Sequence, residues 1–345
     1  MSQFHPQQSD YENLSPLSVE QKLHVLLRFA ILSPSSLNTQ PWRFQIHDNG
    51  VDVYADDSKS LPVADPEGRE LAMSAGAVAS RLALAMRFRG LQPKVEYVND
   101  FKNPDLLIRI SCVGECRTSP LDMMLMSQIE RRHSIAKMDE GYRVSPTMLH
   151  DLTSSAADSL CELVWIGHGE LRRTIADMVA EADRRLFSDR GYRKELASWV
   201  HANDIQEFEG VPASTLGLGG LKSIFAPWVV GHTYLGDKEA KIGKRKAITA
   251  PALGILLTPH DLTKDWLDAG QALSSVLLRA SYLGLACELF NQPLELPGIR
   301  NDLRRVMSTD KYPQAILRVA IAPEADHLPR RPVDTFVTPE EVALV

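Results

Sequence analysis

Two segments of the chain match each other without a gap: AGAVASRLALAMRFRGL from Ala75 to Leu91 and AGQALSSVLLRASYLGL from Ala269 to Leu285. Both open with Ala-Gly, carry a serine at the same offset and close with Gly-Leu. Two unrelated amphipathic helices that end in a glycine C-cap would also look alike. Since similar elements flank each helix in similar order, the pattern predicts a duplicated chain whose halves are related like the subunits of a two-fold dimer.

Hydrophobic periodicity predicts the elements of both halves. Ser18 precedes an apolar helical face and Gln21 stands three residues on, a capping-box start. Pro34 ends that helix, Asn49-Gly50 predicts a hairpin, and a long helix follows from about Arg69 to Arg89. The further predicted strands lie near Lys94–Val98, Leu106–Val113, Leu160–Ile166, Ala250–Thr258 and Gln314–Ala322, and the further helices follow Ser145-Pro146 or span Leu171–Leu186 and about Asp265–Leu283.

Composition excludes several classes of protein. The chain has 345 residues, of which 44% are hydrophobic and 24% charged, with a net charge of -6, as in a soluble globular protein of two domains or one large unit. No basic surplus indicates nucleic acid, and no apolar run is long enough to cross a bilayer. The polar N-terminus lacks the features of a secretory signal, so we expect a cytoplasmic protein. The four cysteines form neither a metal pattern nor a disulfide framework.

The loop SPSSLNTQPWRFQI, from Ser33 to Ile46, joins the first predicted helix to the first strand. Asn38 and Gln40 each offer a hydrogen-bond donor and an acceptor, and the prolines stiffen the backbone so that less entropy is lost when a ligand docks. The other candidate ligand residues of this loop are Pro34, Ser35 and Ser36. Serine, asparagine and proline are also common in helix-ending turns, so a few of these residues alone would mean little.

The whole string resembles the flavin-binding loop of the nitroreductase superfamily, in which Pro-Ser-Ser-x-Asn-x-Gln-Pro-Trp joins a helix to a strand and contacts flavin mononucleotide (FMN). The resemblance covers roughly residues 15 to 337. It implies an α+β fold with two fused nitroreductase-like halves, each a mixed β-sheet surrounded by helices, which form an internal pseudo-dimer. The implied division is an N-terminal arm (1–16), a first half (17–120) and a second half (121–345). The single-chain arrangement with a C-terminal PRRP resembles the Acg-type branch, which implies an inserted lid at about 190–244.

A basic cluster, IERRHSIAK, stands at the head of the second half. Members of the superfamily usually carry an Arg-rich segment before their first helix that grips the FMN phosphate. Here none precedes the first helix, and the resembling residues are Arg132, His133 and Ser134. A guanidinium can hold phosphate oxygens in pairs, although RRHS taken alone could be a solvated charge cluster. The resemblance implies one complete FMN site per chain, built across the two halves, and one degenerate site. Ala136 stands where relatives often have a second basic residue, so another group must supply that charge.

Three further segments resemble parts of the family's flavin site. Lys246 precedes a buried strand, where a lysine would reach the pyrimidine oxygen or the ribityl chain; a solvated basic loop is the alternative. Arg330 and Arg331 resemble the C-terminal basic turn that closes over the phosphate, and the alternative is a surface tail. The segment NQPLELPG resembles the Pro-x-Glu segment whose backbone lies near the ring nitrogen that receives hydride. Its candidate residues are Pro293, Leu294 and Glu295.

The resemblance implies an FMN-dependent oxidoreductase that passes electrons from NAD(P)H to an electron-poor acceptor such as a nitroaromatic or a quinone, without a catalytic side chain. A protein that binds or sequesters FMN under a closed lid is the alternative, because a lid that seals the ring also shuts out NAD(P)H. A flavin-free interaction scaffold is a third interpretation. Trp199, Phe225 and Trp228 could pack over the ring or in the lid's own core. The chain could be a monomer with an internal pseudo-dimer or form a further homodimer, and no metal site is predicted.

Overall fold

The computed structural model describes residues 17–132, 141–157, 159–203, 207–218, 220–321 and 328–338. The predicted arm, 1–16, therefore lies outside the described residues. The first helix, α1 (Val19–Ala30), begins at the predicted cap. Ser18 Oγ accepts a hydrogen bond from Gln21 N at 3.2 Å, and Gln21 Oε1 accepts one from Ser18 N at 3.0 Å. This reciprocal pair satisfies two of the backbone donors that a helix start leaves open.

An antiparallel sheet follows α1. It has four strands in the order β1-β2-β4-β3. The elements are β1 (Trp42–His47), β2 (Gly50–Ala55), α2 (Arg69–Phe88), β3 (Leu91–Tyr97), β4 (Leu106–Glu115) and α3 (Pro120–Met126). The hairpin turn falls one residue earlier than predicted, at Asp48 and Asn49, since His47 pairs with Gly50. Gly50 instead permits a close strand contact, because a Cβ there would lie 2.7 Å from the carbonyl oxygen of Ile110.

The rest of the chain builds a second four-stranded antiparallel sheet in the order β5-β8-β10-β9. Its elements are α4 (Pro146–Ser155), β5 (Glu162–Trp165), α5 (Glu170–Ser188), α6 (Arg190–Ser198), β6 (Val200–His201), β7 (Val211–Pro212), α7 (Ala226–His232), α8 (Gly236–Thr249), β8 (Ala252–Thr258), α9 (Thr263–Tyr282), β9 (Ala286–Leu289), α10 (Gln292–Glu295), α11 (Pro297–Val306) and β10 (Tyr312–Ala320). In each sheet the four strands lie in the order first, second, fourth, third, and a long helix joins the second strand to the third.

The long helices α2 and α9 pack against each other at Gly76 and Gly270. Leu267 and Leu278 of α9 join the apolar core beneath the first sheet, and Met73 of α2 joins the core of the second. Each core is therefore completed by the long helix that connects two strands of the other sheet. The predicted α+β fold is confirmed, whereas the common origin of the halves and their boundaries stay predictions.

By length and composition, α2 is apolar enough to cross a membrane. This differs from the expectation from sequence that no apolar run is long enough to do so. The most apolar 18-residue window of α2 is 78% buried inside the protein. A helix in a protein core needs the same apolar surface, because it packs against neighbours on nearly all sides.

The C-terminal tail crosses back to the first half. Phe44 N donates to Phe336 O at 2.8 Å, and Thr338 N donates to Phe44 O at 2.8 Å, which places the tail parallel to β1. Phe336 is 1% exposed, stacks on Trp42 at 6.1 Å between ring centroids, and lies 4.1 Å from the guanidinium carbon of Arg331. The C-terminal tail, which follows the second sheet in the chain, therefore pairs with β1, an edge strand of the first sheet.

The predicted lid forms a small apolar core together with Phe187 of α5. Its buried members are Phe187, Leu196, Val200, Ala213, Ala226 and Val230. Phe225 and Trp228 are 64% and 62% exposed, so both stand outside that core. The last predicted part, α8, packs along α5 instead, and a Cβ on Gly243 would lie 2.9 Å from Val179 Cγ1. We therefore call residues 190–232 the cover and assign α8 to the second sheet's layer.

Candidate functional site

The loop after α1 is held in an unusual backbone conformation. Leu37, Asn38 and Gln40 have positive φ angles of 50°, 55° and 53°, a region that costs a non-glycine residue about 1–3 kcal/mol. Ser35 Oγ accepts a hydrogen bond from Gln40 N at 3.0 Å, and Leu37 packs against the apolar core of the cover. Surrounding contacts must therefore enforce this conformation, as is common where a loop positions a ligand.

The side chains of Asn38 and Gln40 contact the cover and the tail. Asn38 Nδ2 donates to Pro329 O at 3.2 Å and to Phe208 O at 3.4 Å, and Gln40 Nε2 donates to Phe208 O at 2.6 Å. Gln40 Oε1 accepts from Arg331 N at 3.0 Å. In contrast, Asn38 Oδ1 is buried and has no hydrogen-bond partner among the described residues. Gln40 therefore links the loop to the cover and the tail, and Asn38 keeps a buried oxygen that could accept a further hydrogen bond.

Three arginines converge at the foot of this loop. Arg81 of α2 is 0% exposed and donates from Nη1 to Leu32 O. Arg330 of the tail donates from Nη2 to Ser33 O at 3.4 Å. Burial lowers the pKa of Arg132 to about 10. Burial and the charge of Arg132 lower the pKa of Arg330 to about 9, and burial with both neighbours lowers that of Arg81 well below its usual range.

Two arginines of this cluster have buried nitrogen donors that make no hydrogen bond among the described residues. The Nε and Nη2 atoms of Arg81 and the Nε atom of Arg330 are buried without a hydrogen-bond partner in the described parts of the chain. Buried like charges repel, and burying an unpaired cation is costly. A dianionic group among the guanidinium groups would satisfy both demands, and arginine binds phosphate oxygens well.

The prediction paired the loop around Asn38 with the basic segment around Arg132, and the two do lie close. Arg132 is 8% exposed and shares the cluster with Arg81 and Arg330, whose guanidinium groups donate to the start of the loop. The other two predicted residues of that segment, His133 and Ser134, lie outside the described residues.

Arg331 points away from its neighbour Arg330. Its Nε lies 3.0 Å from Glu209 Oε1 of the cover, and its Nη2 donates to Gln40 O at 3.1 Å. Glu209 also pairs with Lys59 at 2.7 Å. The predicted basic turn therefore divides: Arg330 joins the arginine cluster, whereas Arg331 fastens the tail, the loop and the cover together.

Lys246, in the last turn of α8, forms an ion pair with Glu288 of β9 at 2.5 Å. Glu288 also binds Arg318 Nη1 at 2.9 Å. Asp183 is close enough for the charge of Lys246 to lower its pKa. Burial and the charge of Glu239 raise the pKa of Asp183 by more. Lys246 is thus part of a charged network in the second sheet's layer, and its contact with a flavin stays a prediction.

The predicted Pro-x-Glu segment forms α10. Pro293 and Leu294 are buried, and Glu295 keeps a buried Oε2 atom without a hydrogen-bond partner in the described chain. Burial, followed by the charge of Glu70, raises the pKa of Glu295 well above its ordinary value. Glu70 in turn accepts a hydrogen bond from Ser36 Oγ of the loop. Glu70 therefore links the start of the loop electrostatically to α10.

Sequence reasoning missed Arg81, Glu70, Phe208 and Glu209. Arg81 had a signal, since it stands within the apolar run from Ala75 to Met86, where a charged residue needs a partner or a ligand. The others had none, because Phe208 acts through its backbone carbonyl and the two glutamates through partners remote in sequence.

Comparison with known proteins gives the family. No protein-family model matches the chain. The chain is 30% identical over 315 residues to Rv3131 of Mycobacterium tuberculosis, whose name describes an NAD(P)H nitroreductase, and the match covers 90% of this chain and 88% of that protein. The acg protein of the same organism, with the same description in its name, is 26% identical over 324 residues, covering 89% and 92%. The chain belongs to the nitroreductase family.

A solved structure gives a weaker match. The FMN-dependent nitroreductase NfnB of Mycobacterium smegmatis, in complex with NADPH, is 14% identical and aligns over 62% of this chain and 97% of its own, with a TM-score of 0.40. Because that TM-score is low, the family assignment rests on the sequence relatives.

Proposed function

We propose that the protein is an FMN-dependent oxidoreductase of the nitroreductase type, which takes electrons from NAD(P)H and passes them to an electron-poor acceptor such as a nitroaromatic or a quinone. The observation that supports this most is the buried cluster of Arg81, Arg132 and Arg330 at the foot of the flavin-type loop. α2 and the C-terminal tail both contribute to the cluster. One FMN per chain follows, bound where the two halves meet.

The residues present fit FMN. Its phosphate carries up to two negative charges, which suit buried guanidinium groups with unpaired donors. Its ring edge offers a hydrogen-bond donor between two acceptors, and Asn38 Oδ1 is a buried acceptor without a partner among the described atoms. The strained loop is already fixed by Ser35 and Leu37, so little entropy is lost on binding.

When bound, FMN would supply the two-electron chemistry between NAD(P)H and the acceptor. The chain's own residues bind, orient and shield. The arginine cluster would hold the phosphate and the loop would present Asn38. The cover contacts the loop and the tail through Phe208 O and Glu209, and it would shield a flavin bound beneath it from water. Excluding water strengthens the electrostatic contacts within such a site.

A second function, storage of FMN without turnover, is favoured by the contacts of the cover. The short segment Phe208–Glu209 is bound by four side chains, those of Lys59, Arg331, Asn38 and Gln40. A cover held in this way restricts the access of NAD(P)H to the site. NAD(P)H oxidation by the FMN-loaded protein with a quinone separates the two functions. Rates above those of free FMN support the oxidoreductase, and rates no better than free FMN support storage.

Titration of the apoprotein with FMN and with riboflavin tests the site. We expect Arg81→Met to weaken FMN binding by roughly 10- to 100-fold, since charged hydrogen bonds contribute about 1.5–3 kcal/mol, and to leave riboflavin binding nearly unchanged. Arg173→Met, which removes an exposed arginine from α5, should change neither. If the affinities for FMN and riboflavin fell equally, the arginine cluster would not be the phosphate site. A colourless protein that gains no thermal stability from FMN would instead support a flavin-free scaffold.

A further inference from the structure

Ser33, the first residue of the flavin-type loop, has a buried hydroxyl group beside the arginine cluster. The residue is 0% exposed, and its Oγ atom makes no hydrogen bond among the described residues. The carbonyl oxygen of Ser33 accepts a hydrogen bond from Arg330 Nη2 at 3.4 Å, and that of Leu32 accepts one from Arg81 Nη1. Ser33 therefore lies next to two of the three arginines, and a buried hydroxyl group without a partner is costly.

Arg81 and Arg330 have no carboxylate partner in the described parts of the chain. Burial lowers the pKa of both, and the charges that add to this effect are those of other arginines, Arg132 among them. Three of their nitrogen atoms, Arg81 Nε, Arg81 Nη2 and Arg330 Nε, are buried and make no hydrogen bond among the described residues. Buried cations repel each other and have lost their hydration. An anion bound beside them therefore stabilises the folded protein.

The chemistry of these groups suits a small oxyanion. Guanidinium groups donate N–H bonds to oxygen atoms in pairs, and the Ser33 hydroxyl group can donate one more. A tetrahedral phosphate offers several oxygen acceptors and more than one negative charge at neutral pH. Chloride is a single monovalent acceptor and cannot engage several donors in the same way. Orthophosphate therefore meets the same donors that we assign to the phosphate of FMN.

We propose that Ser33, Arg81 and Arg330 form an orthophosphate site, so that inorganic phosphate binds the flavin-free protein and competes with FMN. The competition rests on the proposed function, which puts the FMN phosphate among the same arginines. Inorganic phosphate then stabilises the flavin-free protein and lowers its affinity for FMN. Riboflavin has no phosphate, so its affinity does not fall. The flavin content of the protein thus depends on the phosphate concentration around it.

Calorimetric titration of the full-length, flavin-free protein with inorganic phosphate tests the site, with sodium chloride of equal ionic strength as the reference. Ser33→Ala removes the buried hydroxyl group, and Arg81→Met removes a guanidinium group. Ser274→Ala is the matched control. Ser274 is also 0% exposed and its Oγ also lacks a partner among the described residues, but it stands on α9.

We expect Ser33→Ala to bind inorganic phosphate roughly 10-fold more weakly than wild type, the effect of losing one hydrogen bond to a charged group. Arg81→Met should bind it roughly 100-fold more weakly, because a charge is lost as well. Ser274→Ala should bind it as tightly as wild type does. If phosphate produced no more binding heat than chloride, the orthophosphate site would be wrong. If Ser33→Ala matched wild type, Ser33 would not belong to it.

Flavin titrations in phosphate and in chloride test the competition. At a phosphate concentration about twenty times its dissociation constant, the apparent affinity for FMN should fall roughly 20-fold, whereas that for riboflavin should not fall. Unchanged FMN affinity in a protein that binds phosphate would overturn the competition. A protein that binds FMN but not phosphate would contradict this inference and leave the proposed function standing. Phosphate binding without FMN binding would contradict the proposed function and leave the orthophosphate site standing.

Discussion

Gly76 of α2 and Gly270 of α9 each lie against the backbone of the opposite helix. A Cβ on Gly76 would lie 2.1 Å from Leu267 O, and a Cβ on Gly270 would lie 1.9 Å from Met73 O. Leu267 precedes Gly270 by three residues, and Met73 precedes Gly76 by three residues. The contact is therefore reciprocal, as in an interface with two-fold symmetry. The two Ala-Gly pairs that suggested a repeat in the sequence lie at the close contact between α2 and α9.

Replacing either glycine should separate the two helices. We expect Gly76→Ala to lower the free energy of unfolding by about 2–3 kcal/mol, because the added methyl group meets backbone atoms that cannot rotate away. Gly298→Ala is the matched control, since nothing lies within 4 Å of a Cβ built there. Urea unfolding of both variants checks this, and equal midpoints would contradict the close helix contact.

Asn38 combines the proposed ligand role with a strained backbone, and two substitutions separate the two properties. Both Asn38→Gly and Asn38→Ala remove the side-chain amide, so both should weaken FMN binding by about 1–3 kcal/mol. Of the two replacements, only alanine is strained by a φ angle of 55°. The free energy of unfolding of Asn38→Ala should therefore be about 1 kcal/mol lower than that of Asn38→Gly. FMN titration and urea unfolding measure the two effects. If Asn38→Gly bound FMN with wild-type affinity, the side-chain amide of Asn38 would not contact the flavin.

Glu209 fastens the cover, so its loss should speed the release of FMN. Glu209→Gln weakens the ion pairs with Lys59 and Arg331. A loss of about 1 kcal/mol corresponds to roughly fivefold faster release. Glu207→Gln, two residues earlier and exposed, should release FMN at the wild-type rate. Recovery of flavin fluorescence after dilution measures the rates, and no difference between the variants would show that the cover does not limit release.

Asp183 makes stability depend on pH. Burial, followed by the charge of Glu239, raises the pKa of Asp183 to about 7 from its ordinary 3.8. The native protein then holds a proton that the unfolded chain loses, so this contribution to stability is complete below about pH 4 and lost by about pH 7. We expect Asp183→Asn to exceed wild type in unfolding free energy at pH 8 by about 4 kcal/mol and to lose that advantage at pH 4. Urea unfolding at both pH values checks this, with the exposed Asp177→Asn as control. A pH-independent difference would contradict the buried proton.

Much of the site could be predicted because its signals are local. The loop from Ser33 to Trp42 carries a recognisable string, and Arg132 and Arg330 stand in short basic segments. Arg81 shows the limit. Arg81 and Arg87 occupy the same helix, yet Arg87 pairs with Asp122 at 2.8 Å, whereas Arg81 is buried beside two other cations. The apolar run around Arg81 marks that residue in the sequence, but only the packing around α2 shows that its neighbours are Arg132 and Arg330.

The sequence by itself determined most of the helices and strands, the position of the loop from Ser33 to Ile46 and the family resemblance, because helical and strand periods and turn residues act over a few neighbouring positions. The tertiary structure decided that Arg81, Arg132 and Arg330 meet, that Arg331 holds the cover and that Ser36 donates a hydrogen bond to Glu70. Those contacts join residues far apart in the chain. They depend on how α2 crosses α9 and on the tail's return to β1, and no local pattern encodes either.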